Sequence, residues 1–185
     1  MLPNVSFYFL RHGKTQPNLD GLMCGGGWDV PLCDEGRAQA ERVARVICPT
    51  LLPTPKIIFT SPMIRAVQTA SYVFDVLPLP LIMIAQLREW GMGDWDGRPF
   101  TEVKDKFLGM EDPSNGESRS HFRIRVEGAL KRLLLSDSLP LIVSHGGVGL
   151  MIQEILGLPR ARIDNCELFR FFSNEMAEWS LQKLS

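Results

Sequence analysis

The segment Val5-Ser6-Phe7-Tyr8-Phe9-Leu10-Arg11-His12-Gly13 joins a short apolar run to an arginine, a histidine and a glycine. A short apolar run of this kind predicts a buried strand. The residues that follow it then lie at the carboxyl end of the strand, where open α/β sheets bind their ligands. The pattern indicates a nucleophile, His12, beside an anion-binding Arg11.

Apolar runs alternate with helical patterns along the rest of the chain. Further strands are predicted over residues 56–60, 81–84, 139–143, 166–172 and 176–184, with a turn at Ser173-Asn174. Helices are predicted from the N-cap Asp34 to residue 47, from the N-cap Ser61 to residue 74, and over residues 100–108. A fourth helix is predicted to begin at Ser118, and a fifth to follow residues 144–147 and end at residue 156. This order predicts an α/β fold with a mainly parallel sheet, helices on both faces and a terminal hairpin at one edge.

The composition is typical of a soluble globular chain. Its 185 residues are 45% hydrophobic and 22% charged, so residues 1–185 are expected to form one domain. With 20 basic and 21 acidic side chains the net charge is −1, which provides no global field for nucleic acid or an anionic membrane. Pro3-Asn4 interrupts any signal-peptide pattern, and no stretch is long enough to span a membrane. We expect a cytoplasmic protein, and the sequence leaves a homodimer open.

The cysteines are Cys24, Cys33, Cys48 and Cys166, and their spacing matches no metal site. We therefore expect free thiols in a reducing compartment, and neither a metal nor another cofactor. Cys24 lies in a glycine-rich loop near the proposed site, so its redox activity is an open question.

His145 repeats the sequence context of His12, because it also follows an apolar run and precedes a glycine. Glycine allows backbone to approach a ligand closely. Taken alone, each histidine is better explained as a hydrogen-bonded loop residue. Two histidines in the same context favour a functional role for both.

Two further charged residues follow predicted strands. Arg65 lies in the first turn of a predicted helix, where free N–H groups and the macrodipole attract anions and a guanidinium suits phosphate. Glu89 precedes Trp90, and burial there would disfavour the charged carboxylate and make it a proton donor. The alternatives are an ordinary surface arginine and a solvated glutamate.

Together these residues supply the parts of a metal-independent phosphoryl transfer. The reaction needs a nucleophile, cations for the phosphoryl oxygens and an acid for the leaving oxygen. Neutral His12 would attack phosphorus, and Glu89 would protonate the leaving oxygen and then activate water. The phosphoryl oxygens would be held by Arg11, Arg65 and His145.

The same residues stand in motifs that resemble the histidine phosphatase superfamily, phosphoglycerate-mutase-like branch, over nearly the whole chain. The motifs are Leu10-Arg11-His12-Gly13-Lys14-Thr15 with Asn18, Asp29-Val30-Pro31-Leu32 with Gly36 and Gln39-Ala40, residues 61–70, Leu87-Arg88-Glu89 with Gly93, Trp95 and Gly97, Gly116-Glu117-Ser118, and residues 143–147. The resemblance implies a three-layer α/β/α sandwich and a phosphohistidine on His12. It also implies a phosphate pocket of Arg11, Arg65 and His145, the proton donor Glu89, and a contact from Asn18 to the phosphoryl group. We further expect Gly25, Gly146 and Lys14 to bind substrate.

Departures from the family pattern narrow the expected activity. Lys14 replaces the usual Glu or Gln and adds positive charge at the pocket rim, and Cys33 replaces a usual Thr as a helix-cap change. Leu22 stands where the mutases carry an arginine, and their Tyr- and Arg-rich stretch after the acid is absent. These missing groups argue against mutase activity on a phosphoglycerate.

We therefore expect a phosphatase that hydrolyses a small phosphomonoester. An α-ribazole-phosphate phosphatase of cobalamin synthesis is the narrower alternative, a phosphoglycerate mutase is a weaker one, and a phosphate-binding module without turnover is a third. The leaving group would be selected by residues 21–28 and 90–116. Two alternatives remain for Trp28, Trp90, Met92 and Trp95 in these segments: they form an apolar wall of the substrate site, or they cover the core.

Overall fold

The computed structural model describes residues 5–135, 139–174 and 176–185. Within these ranges a six-stranded sheet has the order β3-β2-β4-β1-β5-β6. The strands are β1 (Phe7–Arg11), β2 (Ile57–Thr60), β3 (Leu81–Met83), β4 (Pro140–Ser144), β5 (Leu168–Ser173) and β6 (Trp179–Lys183). The first four are parallel, whereas β5 pairs antiparallel with β1 and β6 pairs antiparallel with β5. The predicted mostly parallel sheet with a terminal hairpin at one edge is confirmed.

Helices cover both faces of the sheet. They are α1 (Gln16–Leu19), α2 (Asp34–Arg42), α3 (Ile64–Val76), α4 (Phe100–Gly109), α5 (Arg119–Leu133) and α6 (Gly146–Ile155). Alternate residues of a strand face opposite sides of its sheet. Accordingly, Phe7 and Phe9 pack into a core with α5 and α6, while Tyr8 and Leu10 pack into a second core with α2. The two cores define a three-layer α/β/α sandwich.

Several predicted boundaries were wrong for local reasons. Cys33, rather than Asp34, is the N-cap of α2, and its Sγ accepts a hydrogen bond from the Gly36 N–H at 3.4 Å. The α-helix ends at Arg42, and the chain continues from there as a π-helix at Val43–Ile47. Met63, rather than Ser61, is the N-cap of α3, which begins two residues later than predicted.

The terminal hairpin is also shorter than predicted. Cys166 has a φ of 55°, a left-handed conformation that cannot continue a strand, so β5 begins at Leu168. The Asn174 side chain accepts the N–H groups of Met176 and Glu178, which delays β6 until Trp179. The predictions about Pro3 and Asn4 concern residues outside the described ranges. No described helix is both long enough and apolar enough to cross a bilayer.

Candidate active site

The parallel register brings the ends of three strands together at one edge of the sheet. Arg11 of β1 is paired with Ser144 of β4, and Thr60 of β2 is paired with Val143 of β4. The next residue of each strand therefore leaves the sheet at the same level. His12 and His145 consequently face one another, with ring centroids 5.1 Å apart and an angle of 62° between the ring planes.

The His12 ring is held in one tautomer by its own backbone neighbour. Its Nδ1 lies 2.7 Å from the carbonyl oxygen of Gly13, and a carbonyl can only accept a hydrogen bond, so Nδ1 carries the proton. Burial, and then the charge of Arg65, lower the pKa of His12 well below its usual value. The ring is neutral near pH 7, and its Nε2 lone pair is available as a nucleophile.

The His145 ring is fully buried and presents the opposite nitrogen. Its Nε2 lies 2.7 Å from Ser61 Oγ, and the Met63 N–H donates to the same oxygen at 3.3 Å. We assign the Ser61 hydroxyl as the donor to Nε2, which places the proton of the neutral ring on Nδ1, the nitrogen that has no partner among the described residues. Burial first, and then Arg65, lower the pKa of His145 well below its usual value. His145 is thus a neutral donor through Nδ1–H.

Two guanidinium groups border the histidines and are partly held by backbone carbonyls. Arg11 donates to the Ile163 carbonyl at 2.8 Å, and Arg65 donates to the carbonyls of Trp28 at 2.6 Å and Gly25 at 3.2 Å. Burial lowers the pKa of Arg11, although the nearby Glu89 opposes the effect. Arg65 is completely buried in the first turn of α3, where the sequence placed it.

Three buried donor nitrogens of this group have no hydrogen-bond partner among the described residues. They are Nε of Arg11, Nε of Arg65 and Nδ1 of His145. Buried polar atoms are nearly always hydrogen-bonded in folded proteins. A cluster of buried nitrogens without partners therefore indicates that a bound ligand accepts their hydrogen bonds. Unpaired donors on two cations and a histidine fit the oxygens of a phosphoryl group.

Glu89 lies against the amino end of α6. Its Oε2 accepts the Gly147 N–H at 2.9 Å, its Oε1 accepts the Trp90 N–H at 2.8 Å, and only 7% of the residue is exposed. These two N–H groups fix the orientation of the carboxyl group. Gly147 is required there, because a Cβ at that position would overlap Glu89 Oε1. Glu89 also lines a cavity that adjoins this group of residues.

Arg125 of α5 holds the segment that carries Glu89, a role that the sequence interpretation missed. Its guanidinium donates to the carbonyls of Gln86, Arg88 and Glu89 at 2.7–3.0 Å. It also forms an ion pair with Glu117 at 2.6 Å. The motif Gly116-Glu117-Ser118 was recognised, but nothing in it identifies the arginine on the next helix as its partner.

The remaining predicted substrate residues have different surroundings. Asn18 Oδ1 accepts the Thr15 N–H at 3.2 Å and an Asn165 amide proton at 3.3 Å, so the Asn18 amide is oriented by its oxygen. Asn18, Gly146 and Lys14 line the cavity, and Lys14 forms an ion pair with Glu35 at 2.6 Å. Gly25 is already engaged, because its N–H donates to Asp96 at 2.6 Å and its carbonyl accepts from Arg65.

The sequence left open whether Trp28, Trp90, Met92 and Trp95 line the site or belong to the core. Trp90, Met92 and Trp95 are buried in the core, whereas Trp28 is exposed. Cys24 lines the cavity as a free thiol, and burial raises its pKa, so it is protonated near neutral pH. The other three cysteines are also free. No group of three His, Cys, Asp or Glu side chains suited to a metal ion occurs among the described residues.

Comparisons with known proteins assign the family. Residues 7–180 match the model of the histidine phosphatase superfamily (branch 1). The adenosylcobalamin/alpha-ribazole phosphatase of Escherichia coli is 30% identical over 168 residues, covering 84% of this chain and 81% of that protein. A probable phosphoglycerate mutase of Yersinia enterocolitica is 32% identical over 184 residues, covering 90% and 84%. The chain therefore belongs to the histidine phosphatase superfamily.

Solved structures show the same fold. The alpha-ribazole phosphatase from Shigella flexneri superposes with a TM-score of 0.79 at 28% identity, over 97% of this chain and 96% of that chain. A mycobacterial glucosyl-3-phosphoglycerate phosphatase superposes with a TM-score of 0.82 at 24% identity, over 96% and 97%. The expected phosphoglycerate-mutase-like sandwich is confirmed.

Proposed function

We propose that the protein is a metal-independent phosphatase that hydrolyses a small phosphomonoester through a phosphohistidine on His12. The observation that carries this proposal is the pairing of a neutral His12, whose Nδ1 is engaged by Gly13, with three unpartnered donors on Arg11, Arg65 and His145. A free imidazole lone pair beside unpartnered oxyanion donors is the arrangement that an attack on phosphorus requires.

In the first step, Nε2 of His12 forms a bond to phosphorus as the bond from phosphorus to the ester oxygen breaks. Arg11, Arg65 and the Nδ1–H of His145 hold the phosphoryl oxygens and neutralise the charge that develops on them. Protonated Glu89 transfers its proton to the leaving oxygen, so the alcohol departs neutral.

In the second step, the Glu89 carboxylate takes a proton from a water molecule. The water oxygen bonds to phosphorus, the phosphorus bond to Nε2 breaks, and His12 returns to the neutral state. Inorganic phosphate leaves, and Glu89 is protonated for the next cycle. The same carboxyl group acts first as acid and then as base.

A narrower candidate is an α-ribazole-phosphate phosphatase, favoured by the 30% identity to an enzyme of that name over 84% of the chain. The relative named as a probable mutase is equally similar. However, the cavity has Leu22 where we expected a mutase to carry an arginine. A mutase would move phosphate between positions of one substrate, whereas a phosphatase releases it to water.

The test is hydrolysis of 4-nitrophenyl phosphate by the purified protein and by His12→Asn, with His121→Asn, an exposed histidine of α5, as the matched control. We expect phosphate release by the wild type and by the control. Loss of a covalent nucleophile should lower kcat of His12→Asn by several orders of magnitude. Retained activity in His12→Asn would refute the nucleophile. Tight phosphate binding without turnover of a panel of esters would identify a binding module.

A further inference from the structure

The cavity beside the proposed reaction centre has a volume of about 520 Å³. Arg11, Glu89 and Gly146 lie in its wall and connect it to the proposed phosphoryl site. A volume of this size lies within the usual range of small-molecule sites. The cavity can therefore hold the alcohol portion of a phosphomonoester, and its wall identifies the chemistry of that alcohol.

We call Leu22, Met23, Phe100, Phe107 and Leu150 the apolar wall of this cavity, which is also lined by Ile163 and by polar side chains that include Asn18, Gln39 and Asn165. Phe100 and Phe107 pack edge to face, with ring centroids 6.0 Å apart. Met23, Phe107 and Leu150 are buried members of the core that includes Trp90. Most of the apolar wall thus continues the protein core rather than being a group of mobile surface side chains.

Backbone hydrogen bonds join two of the three segments that form the apolar wall. The Met23 N–H donates to the Arg98 carbonyl at 2.8 Å, and the Phe100 N–H donates to the Gly21 carbonyl at 2.7 Å. Leu22 forms an isolated antiparallel bridge with Pro99 between them. The loop that carries Leu22 and the start of α4 therefore present a preformed surface.

The two cations at the rim of the cavity are already compensated. Lys14 pairs with Glu35 at 2.6 Å, and Nε of Arg162 pairs with Asp164 at 2.8 Å. The Arg162 guanidinium also lies 5.2 Å from the centroid of Phe100, one face of which it covers. A second carboxylate or phosphate on the substrate would compete with these carboxylates for the two cations.

We propose that the substrate is a phosphomonoester of an apolar or aromatic alcohol that carries no second anionic group, seated against the apolar wall. This inference rests on the proposed phosphatase function and specifies its leaving group. The alcohol loses contact with water against the five apolar side chains, while its phosphoryl group occupies the site at Arg11, Arg65 and His145.

The test is a series of n-alkyl phosphates from propyl to hexyl, whose leaving alkoxides have nearly equal basicity and differ mainly in apolar area. We expect kcat/KM to rise with each methylene by up to about fourfold, the effect of burying one methylene. A compact, doubly anionic ester, 3-phosphoglycerate, should be hydrolysed less efficiently than hexyl phosphate. A flat or falling series with measurable turnover would overturn the inference and leave the phosphatase function intact.

Binding of the matching alkylphosphonates, measured by calorimetry, separates the two proposals. Affinity that rises with chain length supports the apolar site even when no ester is turned over, in which case only the phosphatase function fails. Affinity that is independent of chain length overturns the inference.

A substitution tests the apolar wall directly. Leu22→Arg should lower the ratio of kcat/KM for hexyl over propyl phosphate and raise kcat/KM for 3-phosphoglycerate. The matched control is Leu135→Arg, at a residue that is 73% exposed beyond the end of α5, and it should keep the wild-type ratio. An unchanged ratio in a folded Leu22→Arg protein would contradict the proposed seat. The wild-type series gives the answer if this variant does not fold.

Discussion

Ser61 Oγ lies 2.7 Å from Nε2 of His145, and this contact decides which nitrogen His145 presents to the site. With the Ser61 hydroxyl assigned as the donor to Nε2, His12 and His145 both carry their proton on Nδ1, but His12 donates that proton to the Gly13 carbonyl. His12 therefore presents a lone pair, and His145 presents a donor. Two neutral histidines at equivalent strand ends thus acquire the complementary roles of nucleophile and oxyanion donor.

Substitution of Ser61 tests this division of roles. Ser61→Ala removes the hydroxyl that donates to Nε2 of His145. The ring can then adopt the tautomer that carries its proton on Nε2, in which Nδ1 has no proton to donate to the phosphoryl group. A buried group without its partner costs about 1–3 kcal/mol, which as lost transition-state stabilisation is roughly 5- to 150-fold in kcat. Nitrogen NMR of the histidine rings reports the tautomer. The exposed Ser71→Ala of α3 is the control, and an unchanged His145 tautomer in Ser61→Ala would refute the assignment.

A matched pair of glycine substitutions tests the position of the Glu89 carboxyl group. Gly147→Ala places a Cβ against Glu89 Oε1, whereas Gly128→Ala on α5 meets no heavy atom within 4 Å. We expect Gly147→Ala to lower kcat for alkyl phosphates, which need an acid, more than for 4-nitrophenyl phosphate. Gly128→Ala should retain activity and gain about 0.5–1 kcal/mol in the free energy of unfolding. Equal kinetics in the two variants would contradict the assigned position of Glu89.

Arg125 should act on the reaction through Glu89 rather than on substrate. Arg125→Lys keeps the charge but cannot reach three carbonyls with one planar group. A displacement of about 1 Å in a reacting group can cost roughly 10²-fold in rate. We expect kcat for alkyl phosphates to fall by more than kcat for 4-nitrophenyl phosphate, with little change in KM. Arg132→Lys, an exposed arginine of α5, is the control, and an equal loss for both esters would indicate a purely structural role.

The two buried histidines should make the protein less stable in acid. Their pKa values are lowered in the folded state, so the unfolded chain binds more protons once the pH falls below about 6.5, the usual pKa. The free energy of unfolding should then decrease by up to about 1.4 kcal/mol per pH unit for each histidine. Urea unfolding between pH 7.5 and 5.5 should show a shallower slope for His12→Asn than for the wild type. An equal dependence of the free energy of unfolding on pH in the two proteins would contradict the claim that His12 is buried as a neutral ring.

The strand ends were predictable from sequence because one physical rule applies to all of them. Parallel strands place their carboxyl ends at one edge, so apolar runs ending at Leu10 and Val143 predict neighbouring histidines. The position of Arg65 followed from the helix that starts after β2. These predictions needed only local patterns and the direction of the strands.

The supporting contacts could not be predicted in this way. Ser61 resembled a helix cap, and its contact with His145 joins residues that are 84 positions apart in the chain. Arg125 reaches Glu89 across 36 positions, and neither the spacing nor the charge of α5 indicates that contact. The apolar wall could not be predicted without the position of α4, because the sequence around Phe100 is equally consistent with a core residue. Packing between distant segments determines all three.

The most direct test of the account is chemical trapping of the phosphoryl group on the protein. Glu89→Gln should still transfer phosphate from 4-nitrophenyl phosphate, whose leaving group needs no acid, but should activate water poorly, so the intermediate accumulates. After an alkaline quench, mass spectrometry should locate one phosphoryl group on the His12 imidazole, and none in the double variant that also carries His12→Asn. Turnover with no phosphorylated protein, or a phosphoryl group on His145, would contradict the account.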